Sequence, residues 1–272
     1  PKLDLEHRTV RVGAGVVLDQ LNQFLRPHGY CVGPDVATSS RATIGGMIGT
    51  NASGAHAPVY GTTADHVHEL DLVLAGGKFV KIGPGRETLP QQRTLIEDIV
   101  QLNSLLIEEH FPPGLVKRWP GYALDRCLRE PGNLINILSG SEGTLAAIIS
   151  AEVKIVPLPK ERGLGLIFFE SVGEAMQATV ELLDLKPAAI EHLDRILLDQ
   201  TRGQPEFQAA RDMLELDRSP CESMLAVEFF DNVTEGLAEV RRRRLGSRTK
   251  IAQTPDGPDL VWSLRKAGLW LL

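Results

Sequence analysis

A chain of 272 residues, 43% hydrophobic and 24% charged, has the composition of an ordinary globular protein and the length for one large or two modest domains. With 29 Lys and Arg against 35 Asp and Glu, the net charge of −6 opposes nucleic acid and anionic membranes at long range. Cys31, Cys127 and Cys221 are odd in number, widely spaced and outside any C-x-x-C, so the sequence encodes neither a disulfide framework nor a zinc knuckle, and a reducing, cytoplasmic compartment fits. No run of eighteen apolar residues offers a transmembrane segment, which leaves only peripheral attachment to the inner membrane open. The chain starts at Pro1 without a methionine and stops in the apolar run Gly268-Leu-Trp-Leu-Leu272, which reads as a segment of a longer protein.

Thr9-Val-Arg-Val-Gly13 alternates as a strand, and Val17, Leu18, Leu21, Phe24 and Leu25 then recur at helical spacing until Pro27. Residues 33–61 follow as a long glycine-rich loop with room for a short helix near Gly46. Leu70, Leu72 and Leu74 alternate with Glu69 and Asp71 as a strand with one wet face, and Gly76-Gly77 predicts a two-residue hairpin turn into Phe79-Val-Lys-Ile82. Thr94-Leu-Ile-Glu97 has the form of a capping box, and Leu95, Ile99, Leu102 and Leu106 continue as the apolar stripe of an amphipathic helix.

Ile135-Asn-Ile-Leu138 and residues 146–156 are strand candidates around Gly140-Ser-Glu-Gly143, and Pro157-Leu-Pro159 marks a domain boundary. Beyond it, Leu164-Gly-Leu-Ile-Phe-Phe169 is a buried strand and Ser171-Val-Gly-Glu174 caps a helix. The segment 190–198, the strand Leu225-Ala-Val-Glu-Phe-Phe230 and a helix from Thr234 complete two strand-then-helix units, an α+β layer with helices on one face of a mainly antiparallel sheet. Arg241-Arg242-Arg243-Arg244 reads as a solvated helix face.

Gly13-Ala-Gly15, with Asp35 twenty residues on, suggests a nicotinamide-dinucleotide fingerprint. The third glycine is replaced by Leu18, so a tight structural turn is the better reading. The stretch 33–54 joins glycines that admit close backbone approach, hydroxyls and amides at Thr38, Ser39, Thr43, Asn51 and Ser53, and a cation at Arg41. An anionic, heteroaromatic ligand needs those three things together. His66, His68 and Glu69, and Glu191, His192 and Asp194, are the His and carboxylate clusters, and neither spacing suits a shared metal. No metal site is expected within the chain.

The run from Gly33 to Gly54, followed by Tyr60-Gly61 and Asp65-His66-Val67, resembles the PCMH-type FAD-binding domain of FAD-linked oxidases of the vanillyl-alcohol oxidase type. Gly121-Tyr-Ala-Leu-Asp125 and Ser139-Gly-Ser-Glu-Gly-Thr-Leu145 agree in order and rough spacing, so the likeness covers residues 8–272. It is nearest to the D-lactate, glycolate and D-2-hydroxyglutarate dehydrogenases, including long bacterial forms with an iron–sulfur region. The resemblance implies an α+β architecture: the second lobe of an FAD domain over 1–157, then an incomplete ferredoxin-like substrate or cap domain over 158–272.

It also implies that Pro34, Thr38, Ile44, Gly45 and Gly46, with Asn51, Ser53 and Gly54, line the flavin and its phosphates, and that Glu142, Gly143 and Ile148 close over its other side. Lys117 and Tyr122 would lie near the flavin ring, and Arg265 would grip the substrate carboxylate. The implied activity is oxidation of a D-2-hydroxy acid, with the C2 hydride passing to FAD and the electrons leaving to an acceptor that the residues do not identify. The family's Asp-Pro-Ala is Asp35-Val36-Ala37 here, and its Gly-Val-Ile-Thr is Ala146-Ala-Ile-Ile-Ser150. Its pyrophosphate loop would precede Pro1, and its Gly-Asp-Gly-Asn-x-His block, with any metal or iron–sulfur cluster, would follow Leu272. The segment alone is therefore expected to lack tightly bound flavin. A nicotinamide-dependent dehydrogenase and a non-catalytic binding module are the alternatives; an antiparallel hairpin at residues 70–82 dismisses the first.

Overall fold

The computed structural model describes residues 1–86, 88–111, 114, 121–252 and 257–271, and the chain divides after Leu158 into two compact units. The first begins with β1 (Lys2–Asp4), β2 (Thr9–Gly13), α1 (Leu18–Leu25) and β3 (Tyr30–Cys31). Its glycine-rich stretch carries α2 (Ile44–Gly49) and α3 (Ala57–Tyr60), and β4 (Val67–Leu74) and β5 (Phe79–Ile82) form an antiparallel hairpin. Four helices follow, α4 (Pro90–Leu102), α5 (Ser104–His110), α6 (Leu124–Arg129) and α7 (Leu134–Leu138), before β6 (Ala146–Lys154) and β7 (Val156–Pro157).

β6 lies at the centre of an antiparallel sheet of order β1-β2-β6-β4-β5. The period of two along each strand sorts its faces. Val10, Val12, Leu70, Leu72, Ala151 and Val153 turn inward to a core shared with Leu18, Leu21, Met47 and Ile48. Arg11 turns outward, where it donates to Asp71 (2.9 Å), Glu152 (3.1 Å) and Glu69. Because β2 pairs antiparallel with β1 and β6, no parallel βαβ unit opens at Gly13, and the nicotinamide reading is overturned. The hairpin turn also differs from expectation. Only Gly77 takes positive φ; the Leu74 carbonyl accepts from its N–H at 2.8 Å, and the Leu74 N–H donates to Lys78, which is a type I turn with a glycine bulge.

Two helical assignments need correction. Ile135-Asn-Ile-Leu138 forms most of α7 and not a strand, because Asn133 accepts the Ile135 N–H in its side chain and so starts a helix, all of whose residues are buried. α4 begins at Pro90, ahead of the capping box expected at Thr94, and the stripe Leu95, Ile99, Leu102 and Leu106 is exposed, Leu102 to 87%. Val100, at 1%, and Ile107 face the core instead. The two stripes differ by one residue, about 100° of helical rotation, and both are apolar.

The second unit runs β8 (Gly163–Phe169), α8 (Val172–Leu182), β9 (Ala189–Asp194), α9 (Arg195–Gln200), α10 (Gln208–Leu214), β10 (Ser223–Phe229), α11 (Val233–Arg243), β11 (Arg248–Ala252) and α12 (Gly257–Leu271). Its antiparallel sheet has the order β11-β8-β10-β9. That is the βαββαβ arrangement of a ferredoxin-like fold, complete within residues 163–252, with α9 and α10 between its middle strands. The Ser171 hydroxyl accepts the Glu174 N–H at 3.2 Å and caps α8 as expected.

Helices cover both faces of this sheet, not one. Ile167, Phe169, Leu225 and Val227 pack with Ala175, Ala178, Leu182, Leu237 and Val240 of α8 and α11. Leu166, Phe168, Met224 and Ala226 pack with Leu198, Leu214, Val261 and Leu264 of α9, α10 and α12. This is why β8 and β10 are buried at every position, as strands are when both faces of their sheet are covered. The arginine run is only partly a solvated face: Arg242 pairs with Glu239, whereas Arg243 ties α11 to Asp184 at 2.8 Å.

Glu228 on β10 is 0% exposed and accepts from the Arg162 guanidinium and the Trp262 indole N–H, both at 2.8 Å. Glu228→Ala removes the acceptor that those two donors share. In chemical denaturation it is expected to lower the stability of the second unit by about 3–5 kcal/mol, as loss of one member of a buried charged pair does.

Candidate functional site

In the first unit a working surface is built around α2. The turn after β2 closes with Val16 N–H on the Gly13 carbonyl (3.1 Å) and is held to β6 by Ala14 N–H on Ile149 (2.9 Å). The Thr43 hydroxyl caps α2 by accepting from Gly46, and α2 returns to the turn through Ile44 N–H on Val16 (2.9 Å) and Gly45 N–H on Ala14 (2.8 Å). A Cβ at Gly45 would lie 2.7 Å from the Ala14 Cβ, so glycine permits this approach. Ile44, Met47 and Ile48 point into the core. Gly46 and Gly49 do not: a Cβ at Gly49 would meet nothing within 4 Å, and one at Gly46 only the Thr43 hydroxyl. The protein's own packing does not require glycine at those two places.

The far end of α2 supports a second turn. Gly140 N–H donates to the Ile48 carbonyl (2.9 Å) and Glu142 N–H to that of Gly49 (2.8 Å). Ser139 and Ser141 are buried, whereas Glu142, Gly143, Thr144 and Leu145 are exposed. The half-exposed Tyr122 joins them through a 2.7 Å hydrogen bond between its hydroxyl and that of Thr144. Gly46, Gly49, Thr50, residues 142–144 and Tyr122 thus form an open ledge of backbone amides, hydroxyls and one aromatic ring.

Other expected ligand residues shape the ribbon. The Asn51 side chain accepts the Ala64 N–H (2.8 Å), Ile44 is a core side chain and Pro34 is buried. A Cβ at Gly54 would collide with the Asp35 backbone and carboxylate, and Asp35 in turn accepts from the His56 backbone and ring. Asp35 is therefore a clamp across the ribbon and not a ribose acid. Thr38 and Ser53 are half-buried, and Ile148 is half-buried on β6 opposite Leu72. Lys117 lies outside the described residues.

The Asp65 carboxylate accepts the backbone N–H and hydroxyl of Thr62 (2.7 and 2.9 Å) and pairs with Arg126 of α6 at 2.8 Å. Burial pushes its pKa up, but the Arg126 guanidinium and the Thr62 donors outweigh burial and hold it below the usual carboxylate range.

In the second unit Arg265 of α12 donates through Nε to Glu191 of β9 at 2.9 Å and is 28% exposed. Its two terminal nitrogens have no hydrogen-bond partner among the described residues. His192 and Asp194 share β9, and both are used locally: His192 bonds the Ser223 hydroxyl (2.6 Å), and Asp194 caps α9 through the Leu197 N–H. The His66 ring donates to the Tyr60 carbonyl at 2.7 Å. Among the described residues no three His, Cys, Asp or Glu side chains are grouped to hold a metal ion. Burial pushes the thiols of Cys31 and Cys127 up to about 11, so neither is a thiolate nucleophile near neutral pH. Sequence reasoning missed Thr144 and the pairing of Glu191 with Arg265. The first lay inside a recognised block; no local signal announced the second.

Residues 2–83 match the family described as FAD binding domain, and residues 158–272 match the C-terminal domain of FAD linked oxidases. The chain belongs to the FAD-linked oxidases. It is 37% identical, over its whole length, to a D-2-hydroxyglutarate dehydrogenase of Pseudomonas putida and 31% identical to one of Escherichia coli, and it spans 29% of the length of each. A D-lactate dehydrogenase of Archaeoglobus fulgidus is 30% identical over 71% of the chain and 35% of that relative. Among solved structures, an alkyldihydroxyacetonephosphate synthase matches 99% of the chain and 43% of its own at 17% identity and a TM-score of 0.67, which supports the fold. Among the described residues no helix is long and apolar enough to cross a membrane.

The ledge fits the flavin dinucleotide of this family. Open-faced glycines at 46 and 49 admit a phosphate or a flat ring to the backbone, and Tyr122, Thr144 and Gly143 border them. Two outcomes follow from the ribbon's construction. Gly54→Ala is expected to destabilise the first unit by about 1–3 kcal/mol, as overpacking does, whereas Gly49→Ala raises stability by about 0.4–1 kcal/mol, both read from denaturant midpoints. Asp65→Asn lowers stability at pH 7. Because the folded carboxyl titrates below its unfolded value, its contribution is present above pH ~4 and is lost as pH falls through the lowered value, so melting curves of variant and parent converge in acid.

Proposed function

We propose that the chain supplies part of the flavin-holding domain (1–157) and part of the substrate domain (158–272) of a flavin-dependent D-2-hydroxy-acid dehydrogenase, of the D-lactate, glycolate or D-2-hydroxyglutarate kind. The observation that carries the proposal is the state of Arg265 in a chain matching FAD-linked oxidases at both ends. Glu191 takes the Nε–H and fixes the plane of the guanidinium, and the two terminal nitrogens keep the parallel pair of donors that a carboxylate accepts bidentately. A lysine could not be oriented in this way.

Bound FAD would be the hydride acceptor. In the first unit the bare backbone at Gly46 and Gly49 would pack against it, and the turn at 142–144 and the Tyr122 hydroxyl would hold it; Thr38 and Ser53 would add hydroxyls, and Lys117 a cation. Pro34, Ile44, Gly45, Asn51 and Gly54 act indirectly, by keeping the ribbon's shape. In the second unit Arg265 would bind and orient the substrate carboxylate, and Trp262, one turn earlier on α12 and anchored to Glu228, would keep that helix in register. Fixing the carboxylate limits the motion of C2 and lowers the entropic part of the barrier.

The test uses a full-length protein carrying this chain, loaded with FAD, under anaerobic conditions. One of the three D-2-hydroxy acids is expected to bleach the flavin absorbance, and Arg265→Gln to raise KM about 10- to 100-fold, the loss of a charge-assisted bidentate contact. A flavin that none of these acids reduces, or an Arg265→Gln variant with unchanged KM, overturns the assignment.

A further inference from the structure

β6 runs from the flavin ledge at Ala146 to Lys154, about 26 Å at 3.3 Å per residue. At the Lys154 end the first unit has a cavity of about 760 Å³, within the range of small-molecule sites. Val67, Ile82, Leu134 and Ile135 give it apolar walls, and His68, Arg86, Arg93 and Lys154 give it charge or charge capacity. Among the described lining residues none is Asp or Glu, and the nearest carboxylates, Glu69 behind Gly83 and Glu97 behind Gly132, stand outside the lining.

Lys154 and Arg86 are exposed and His68 and Arg93 half-buried, and two features set the group apart from an ordinary strand edge. β4 faces β6 with Val67 opposite Val153 and Glu69 opposite Glu152, so His68 is the extra residue of a β-bulge, a device that re-aims a side chain out of the alternation. Moreover, the cations here are not neutralised equally. Arg86 is paired with Glu69 at 3.0 Å, but Arg93 spends its guanidinium on the backbone carbonyls of Gly132 and Arg86, which neutralise no charge. Lys154 and His68 make no side-chain hydrogen bond or ion pair among the described residues. Pro90, the first residue of the 13-residue α4, also lines the cavity, and the partial positive charge of that helix end adds to the field.

We propose that this cavity binds a phosphate monoester of about nucleotide size. Its apolar walls take a flat or aliphatic body, while Lys154, Arg93, His68 and the start of α4 surround the phosphoryl group. A phosphoryl group suits them better than a carboxylate: it carries about −1.5 to −2 charges at pH 7 and three acceptor oxygens, against one charge and two oxygens.

The experiment is calorimetric titration of the 272-residue chain at low salt with uridine 5′-monophosphate, uridine and inorganic phosphate. Saturable binding of the monophosphate below about 1 mM is expected, with uridine and inorganic phosphate each at least about tenfold weaker, since each offers half of the recognition. Lys154→Glu should abolish that binding and His68→Gln should weaken it, with both variants melting like the parent; Glu142→Gln, on the ledge, should leave it unchanged. No saturable heat with the monophosphate, uridine binding as tightly as its monophosphate, inorganic phosphate binding as tightly, or binding that survives Lys154→Glu overturns the proposal.

Discussion

The contact on which the first unit's working surface depends is the one between α2 and the turn at 13–16. Two backbone hydrogen bonds, from Ile44 to Val16 and from Gly45 to Ala14, form only if the two backbones nearly touch, and any side chain at 45 would hold them apart. With that contact made, Ile44, Met47 and Ile48 reach the core beneath the sheet. The opposite side of the same helix is then bare backbone. The C-terminal carbonyls of α2 go on to receive Gly140 and Glu142, so one six-residue helix places both turns of the ledge. A helix this short has little stability of its own, and the ledge is only as rigid as the tertiary contacts that hold it.

The second unit solves a different problem by a different means. Its ferredoxin-like sheet must carry α12 on a face where packing alone leaves the helix free to slide, since Val261, Leu264 and Ala267 are small or aliphatic. A buried carboxylate removes that freedom: Glu228 binds Trp262 on α12 and Arg162 just ahead of β8, and Arg162 reaches Asp259 on α12 at 3.0 Å. Desolvating Glu228 costs energy that its donors offset only in one arrangement, so the pair specifies register more than it adds stability. Arg265 stands one turn beyond Trp262 and inherits that register.

Much of this was legible in the sequence because the relevant signals are local. Alternation in β2 and β4, the apolar run of β8, the Ser171 cap and the spacing of the glycine-rich run all show without knowledge of distant partners. The failures share one cause. Ile135-Asn-Ile-Leu138 has the alternation of a strand, yet it is buried at every position and starts as a helix at the Asn133 cap. α4 has two apolar stripes, and which of them is covered depends on the surface it meets. The division of the expected ligand residues was equally hidden. Gly45 and Gly46 are neighbours of one residue type, yet one is set by the Ala14 backbone and side chain and the other meets only the Thr43 hydroxyl. Asp35 sat at the distance from a glycine turn where a ribose acid belongs, and its partner turned out to be His56, 21 residues further on.

A net charge of −6 opposes polyanions at long range but says little about small anions, because screening limits each charge to about 8–10 Å at ordinary ionic strength. What a small ligand meets is decided by how the nearby carboxylates are spent. Asp35 is held by His56, Asp65 by Thr62 and Arg126, and Glu69, Asp71 and Glu152 by Arg11 and Lys81 on the outer face of the sheet. Glu228 is sealed in the second unit. These carboxylates are spent in holding the fold. Two of the cationic groups left without a carboxylate partner matter here: Arg265, whose terminal nitrogens are free among the described residues, and the cluster of Lys154, Arg93 and His68 at the end of β6. An acidic protein can recognise a small anion in this way where the cations nearest the ligand outnumber the unpaired carboxylates within a screening length.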